Sequence, residues 1–145
     1  MNAKDLYQQA IVDHGKKPRN HGPLPDATHT ATAHNPLCGD RVTVRLRIEG
    51  DRISDVRFEA RGCMIATAST SLLTEAVRDH TIDEALHLAA TIDTIASDGP
   101  LPDDAGSLEP LRGVRDFPAR KPCVAIASQA LKSALSTPTK PPRTT

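Results

Sequence analysis

The chain has three cysteines, Cys38, Cys63 and Cys123, and one carboxylate beside the first of them, Asp40, in the stretch Asn35-Pro36-Leu37-Cys38-Gly39-Asp40. Three thiols and an acid form a donor set for a metal. Gly39 separates the first thiol from the acid and Pro36 precedes both, a composition that describes a tight turn. Gly39 can adopt the positive φ that other residues avoid, which turns both side chains the same way. Cys63 follows Gly62 at the start of an apolar-periodic run, and Cys123 follows Pro122 at the start of another. Both thiols therefore sit where a helix is expected to begin.

Helix N-termini carry unpaired backbone donors and a partial positive charge, so a thiol there loses its proton more easily. The thiolate is the form that binds metal and attacks sulfur. Three thiolates and a carboxylate suit four-coordinate zinc (Zn2+), and sulfur-rich sites also take iron or iron-sulfur clusters. With zinc the formal charge of the site is negative, and Arg120, just before Cys123, is placed to offset part of it. Other readings stay open at this level. Buried free cysteines are often small hydrophobes, and these separations match no local zinc-finger pattern. A cysteine-protease reading has no local signature to support it.

Composition narrows the function classes. Eighteen basic residues balance eighteen acidic ones, and aromatics make up only 2% of the chain. Tyr7, Phe58 and Phe117 offer no stacking platform for bases, and a neutral chain lacks a basic footprint, so nucleic acid is not expected as a partner. No apolar run is long enough to cross a bilayer, so no membrane role is expected. Three cysteines cannot all pair and no secretory pattern opens the chain, so a cytoplasmic protein with reduced thiols is expected. The six histidines are dispersed and read as surface or helix-end residues, with His34 the one closest to a thiol.

The elements that must position these residues can be read in order. Leu6, Tyr7, Ala10, Ile11 and His14 recur at helical spacing in a first helix that ends at Gly15. Prolines at 18, 23, 25 and 36 make residues 15–36 an extended connection, with one short edge strand over Thr28–Ala33. Val42, Val44, Leu46 and Ile48 alternate with Arg41, Thr43, Arg45 and Arg47 in a half-buried strand. After the Glu49-Gly50-Asp51 turn, a second run through Ile53, Val56, Phe58 and Ala60 returns antiparallel, with an irregularity near Ser54. The hairpin thus carries the chain from Asp40 back to Cys63.

Residues 63–80 read as a helix whose first turns are unusually small, Ala66 to Ser71. Thr81 with Glu84 resembles a capping box that opens a third helix through Ile95. Residues 98–106 form a loop, and a short helix from Ser107 closes at Phe117-Pro118. The last helix starts at Pro122 or Cys123 and runs to Leu135. This defines a single domain over 1–135, followed by a polar, proline-rich tail over 136–145 that is expected to be disordered.

Several of these motifs together resemble the iron-sulfur cluster assembly proteins of the IscU and NifU N-terminal family, and within it most closely the SufU branch. The resemblance runs from Leu6 to about Leu135. It is carried by Leu6-Tyr7, Asp13-His14, Pro18-Arg19-Asn20, the Cys38-Gly39-Asp40 turn, Gly62-Cys63 with the small residues up to Ser71, and Phe117-Pro118-Ala119-Arg120 before Cys123. It implies an α+β fold: an N-terminal helix, then a small three-stranded antiparallel sheet packed by the helices that follow. It also implies metal ligation by Cys38, Asp40, Cys63 and Cys123.

The family offers two functions. SufU-like proteins bind zinc and accept persulfide sulfur from a pyridoxal-phosphate (PLP) cysteine desulfurase of the SufS type, with the thiol at Cys38 freed to take it and Arg120 supporting the site or the docked partner. They act as persulfide acceptors rather than stand-alone enzymes, passing sulfur to downstream Suf assembly proteins or apo-proteins. IscU-like proteins instead hold a nascent iron-sulfur cluster and pass it to apo-proteins. Two departures from IscU favour transfer. Pro122 stands where IscU has a histidine, and the Leu-Pro-Pro-Val-Lys segment that recruits a chaperone is missing. A purely structural zinc is a third reading, which an acid on an exposed turn would argue against.

Overall fold

A computed structural model describes residues 3–35, 39–97, 99–100 and 106–138. The element order is α1 (Ala3–Lys16), β1 (His29–Asn35), β2 (Asp40–Glu49), β3 (Arg52–Arg61), α2 (Met64–Val77), α3 (Ile82–Ala96) and α4 (Lys121–Leu135), with 3-10 segments at Gly106–Asp116 and Pro118–Arg120 before α4. The strands form one antiparallel sheet in the order β1-β2-β3. This is the α+β architecture that the resemblance implies.

Alternation along β2 and β3 decides which face of the sheet is covered. Val42, Val44 and Leu46 with Ile53, Val56 and Phe58 are all buried. Each large side chain taken out of water in this way contributes about 1.5–3 kcal/mol. Helices α2 and α4 lie on that face, α1 packs on α2, and α3 packs on α4. Leu72, Leu73 and Val77 of α2 join Val124, Ile126 and Leu131 of α4 in the same core. The irregularity expected near Ser54 is present. Arg47 pairs with Asp55 and Ile48 with Ile53, leaving Ser54 as the extra residue, and its hydroxyl donates to the Arg47 carbonyl.

The small residues at the start of α2 are explained by burial on several sides. Ala66, Ala68, Ser69, Thr70 and Ser71 are all buried, so larger side chains would push neighbouring elements apart. α2 ends at Val77, three residues short of the expected His80. Asp79 takes a left-handed φ of 66°, and Asp79 and His80 exchange backbone hydrogen bonds with Ile53 instead. Pairing with the edge of β3 wins over another turn of helix. α3 opens with the reciprocal Thr81–Glu84 capping box.

His14, in the last turn of α1, is buried rather than at the surface. Its Nδ1 lies 2.8 Å from Ser71 Oγ, and the same oxygen accepts from the Arg19 backbone N–H at 2.8 Å. Burial, aided by the nearby Arg19 charge, holds the His14 pKa below its ordinary value. Arg19 also pairs with Asp13, and Asn20 Nδ2 donates to Thr74 Oγ1. The Asp13-His14 and Arg19-Asn20 motifs thus clamp α1 and its exit onto α2.

Much of the 98–106 loop and the tail from residue 139 lie outside the described residues. The tail's first residues are placed, and Pro138 makes an isolated antiparallel bridge to His29. Among the described residues no helix is long and apolar enough to cross a membrane.

Candidate metal centre

Asp40 is the first residue of β2 and pairs with Asn35, the last of β1. Gly39 just before it has φ +72° and donates its N–H to the Asn35 carbonyl at 2.8 Å. This positive φ is the one the turn was expected to need. At the other end of the hairpin, β3 ends at Arg61, and Gly62 with φ +126° turns the chain into α2. Cys63 is the N-cap of α2, and its sulfur accepts from the Ala66 N–H. Cys123 is the third residue of α4, behind Lys121 and Pro122. Both thiols stand at helix starts, as the sequence indicated.

Asp40 and Cys63 are tied together directly. Asp40 Oδ1 accepts the Cys63 backbone N–H at 2.8 Å, and its Oδ2 lies 3.6 Å from Cys63 Sγ. Gly62 permits this approach, because a Cβ there would collide with Asp40 Oδ1 and come within 2.9 Å of its Cα. Real Cβ atoms do not tolerate such contacts. The position was visible in the sequence only as a residue next to Cys63, and the clash becomes legible when the two strand ends are brought together.

The ligand atoms of Asp40, Cys63 and Cys123 all lie within 4.8 Å of one another. A tetrahedral zinc would separate a sulfur and an oxygen ligand by about 3.6 Å and two sulfurs by about 3.8 Å. The observed Asp40–Cys63 distance already equals that edge, so the donor set fits after small side-chain rotations. Asp40 and Cys123 are both buried, so the acid is not on an exposed turn as the sequence suggested, because the start of β2 is covered by Gly62 and Cys63, and its exposure no longer argues against a structural zinc. Burial, reinforced by Cys63 and Asp40 alongside, pushes the Cys123 thiol pKa far up. Burial thus favours the neutral thiol, and metal binding must release its proton.

Of the other two predicted site residues, only Arg120 is among those described. Cys38 lies outside the described residues. Arg120 is exposed at the N-cap of α4, and its backbone N–H donates to the Phe117 carbonyl.

The NifU-like N-terminal domain family matches residues 6–140. The chain belongs to this family. It is 36% identical to the zinc-dependent sulfurtransferase SufU of Bacillus subtilis, over 93% of this chain and 92% of that protein. It is 37% identical to the iron-sulfur cluster assembly scaffold protein IscU of Streptococcus pyogenes, over 90% of this chain and 82% of that one. Among solved structures, an iron-sulfur cluster assembly scaffold protein for the SUF system from Fervidobacterium islandicum superposes with a TM-score of 0.83 at 29% identity, covering 92% of this chain and 99% of that one. Its place is therefore in the SufU and IscU group of iron-sulfur cluster assembly proteins, and its fold is theirs.

Proposed function

We propose that this chain is a zinc-dependent persulfide acceptor that works with a PLP-dependent cysteine desulfurase in iron-sulfur cluster assembly. The observation that carries the reading is the largely buried Asp40–Cys63–Cys123 cluster, whose carboxylate is two residues from Cys38 in the chain. The similarity to a sulfurtransferase named as zinc-dependent supports it.

In this reading Asp40, Cys63 and Cys123 hold the metal together with Cys38. Zinc, when bound, keeps thiols deprotonated at neutral pH and orients them. Asp40 also acts on the backbone. By accepting the Cys63 N–H, it locks the start of α2 and fixes the sulfur's direction. Cys38 is the acceptor. Its thiolate attacks the outer sulfur of the desulfurase persulfide, a new Cys38 S–S bond forms, and the donor's own S–S bond breaks. The donor cysteine leaves as a thiolate and takes up the proton that Cys38 released, so no external oxidant or reductant is consumed. In this reading Arg120, exposed at the start of α4, supports the docked donor. The sulfur then passes to downstream Suf assembly proteins or apo-proteins.

The test is desulfurase turnover as zinc-loaded protein is titrated in, anaerobically and with a reductant. A large saturable rise that Cys38→Ala abolishes is expected. The similarity to a named scaffold favours the second reading, an iron-sulfur cluster held on the same four residues. Absence of stimulation, with a cluster forming when iron and sulfide are supplied, would move the function there.

A further inference from the structure

Most described arginines are engaged. Arg19 pairs with Asp13, Arg45 with Glu59, Arg47 with Asp26 and Glu49, and Arg57 and Arg78 with Asp55. Arg112 pairs with Glu109, and Arg52 and Arg115 donate to backbone carbonyls. Among the described residues Arg120, Arg41 and Arg61 have no such side-chain partner. The last two stand together. The strand register sets them directly opposite each other on β2 and β3, with His34 of β1 on the other side of Arg41.

Like charges facing each other across a sheet destabilise it unless an anion sits between them. Thr43 and Glu59 form a nearby pair, but Glu59 is already held by Arg45. An open pocket of about 360 Å³ lies here, lined by His21, Arg41, Thr43, Arg45, Glu59 and Arg61. His21 is held in place by an edge-on contact with the buried Phe58 ring, centroids 5.5 Å apart. Arg41 directly follows Asp40, and Arg61 is two residues before Cys63. Side chains alternate along a strand, so the two guanidiniums point to the face away from the core, at the strand ends that carry Asp40 and lead into Cys63.

We propose that Arg41 and Arg61 form a fork that binds surface carboxylates of the persulfide-donor protein. The inference rests on the acceptor function proposed above. Planar guanidiniums are shaped for carboxylates. Both arginines are exposed, so a small free anion would be screened by salt and would lose its freedom of movement for two wet contacts. A carboxylate on a protein already positioned at the thiols bears little of that cost. The donor's persulfide is itself anionic and must approach a cluster built from thiols and a carboxylate. Positive charge at the rim turns that approach from repulsive to attractive.

The experiment measures binding rather than turnover. The zinc-loaded chain, its Arg41→Glu/Arg61→Glu double variant and an Arg47→Ala control are titrated against the cognate desulfurase by fluorescence anisotropy, at low and physiological salt, after matching zinc content. The double variant is expected to bind at least tenfold more weakly and to lose most of the salt dependence, with the control within about twofold of the unsubstituted chain. Equal binding by the double variant overturns the fork. Displacement of the desulfurase by low-millimolar inorganic phosphate alone would mark a free-anion site and also overturn it. Failure of the unsubstituted chain to bind would instead overturn the acceptor function itself.

Discussion

The two sides of the metal centre are built in different ways. Asp40 and Cys63 sit at the two ends of one hairpin and are joined by a hydrogen bond from backbone to carboxylate. Cys123 arrives 60 residues later, after α3, an 11-residue 3-10 segment and a second short one. Among the described residues it is held mainly by the burial of α4 against the sheet and α3. The first side is preorganised by local chain geometry and the second by global packing. Disturbing the hairpin side should damage the site directly. Disturbing the route to Cys123 should cost stability first and leave the site's geometry for the metal to restore.

The largest effect is expected at Gly62. Gly62→Val puts a side chain into Asp40 and forces a branched residue to φ +126°, so a loss of about 3 kcal/mol or more is expected together with loss of bound metal. Urea unfolding and metal analysis would check both, and a stable, metal-replete variant would refute the close-approach argument. Next come Asp40→Ala and Cys123→Ala, compared as apo-proteins. The first removes the acceptor of the part-buried Cys63 N–H and should cost about 2 kcal/mol. The second removes one buried sulfur and should cost about 1 kcal/mol. Both should lose tight metal binding; equal apo-stabilities would erase the distinction between the two sides.

A smaller effect is tied to pH. Burial favours the neutral form of His14 in the fold and lowers its pKa from 6.5. The unfolded chain therefore binds more protons below about pH 6.5, and the stability this group contributes is present above that value and declines as pH falls toward the folded pKa. His14→Gln should flatten the Tm profile below about pH 6.5. A profile that keeps its slope would remove His14 as the cause. The smallest effect should come from Thr81→Ala, which breaks the α3 capping box on the route to Cys123. It is expected to cost about 1 kcal/mol with metal stoichiometry unchanged, as thermal unfolding and metal analysis would show.

Local patterns carried most of the fold. Strand alternation, the Ser54 irregularity, the Thr81–Glu84 cap and the helix starts beside Cys63 and Cys123 all follow from nearest-neighbour chemistry, which a sequence displays directly. The features that escaped depend on residues far apart in the chain. Burial of His14 requires Ser71, 57 residues away, and the early end of α2 requires Ile53. The clash at Gly62 requires Asp40, and the pairing of Arg41 with Arg61 requires the register of the hairpin. In the sequence, Arg41 is one of several solvated arginines on a strand. Only the pattern of salt bridges in the folded chain sets it and Arg61 apart from their neighbours.

The position of Cys123 in the final helix also bears on how the protein is made. A ribosome delivers the chain from its N-terminus, so the hairpin with Asp40 and Cys63 emerges well before α4 does. A nascent chain in that interval offers an incomplete set of ligands and no packed helix to bury them. Lasting metal capture must wait until the last helix has been synthesised and has docked, and a chain truncated before residue 121 would be left as an unsealed thiol site for quality control to remove.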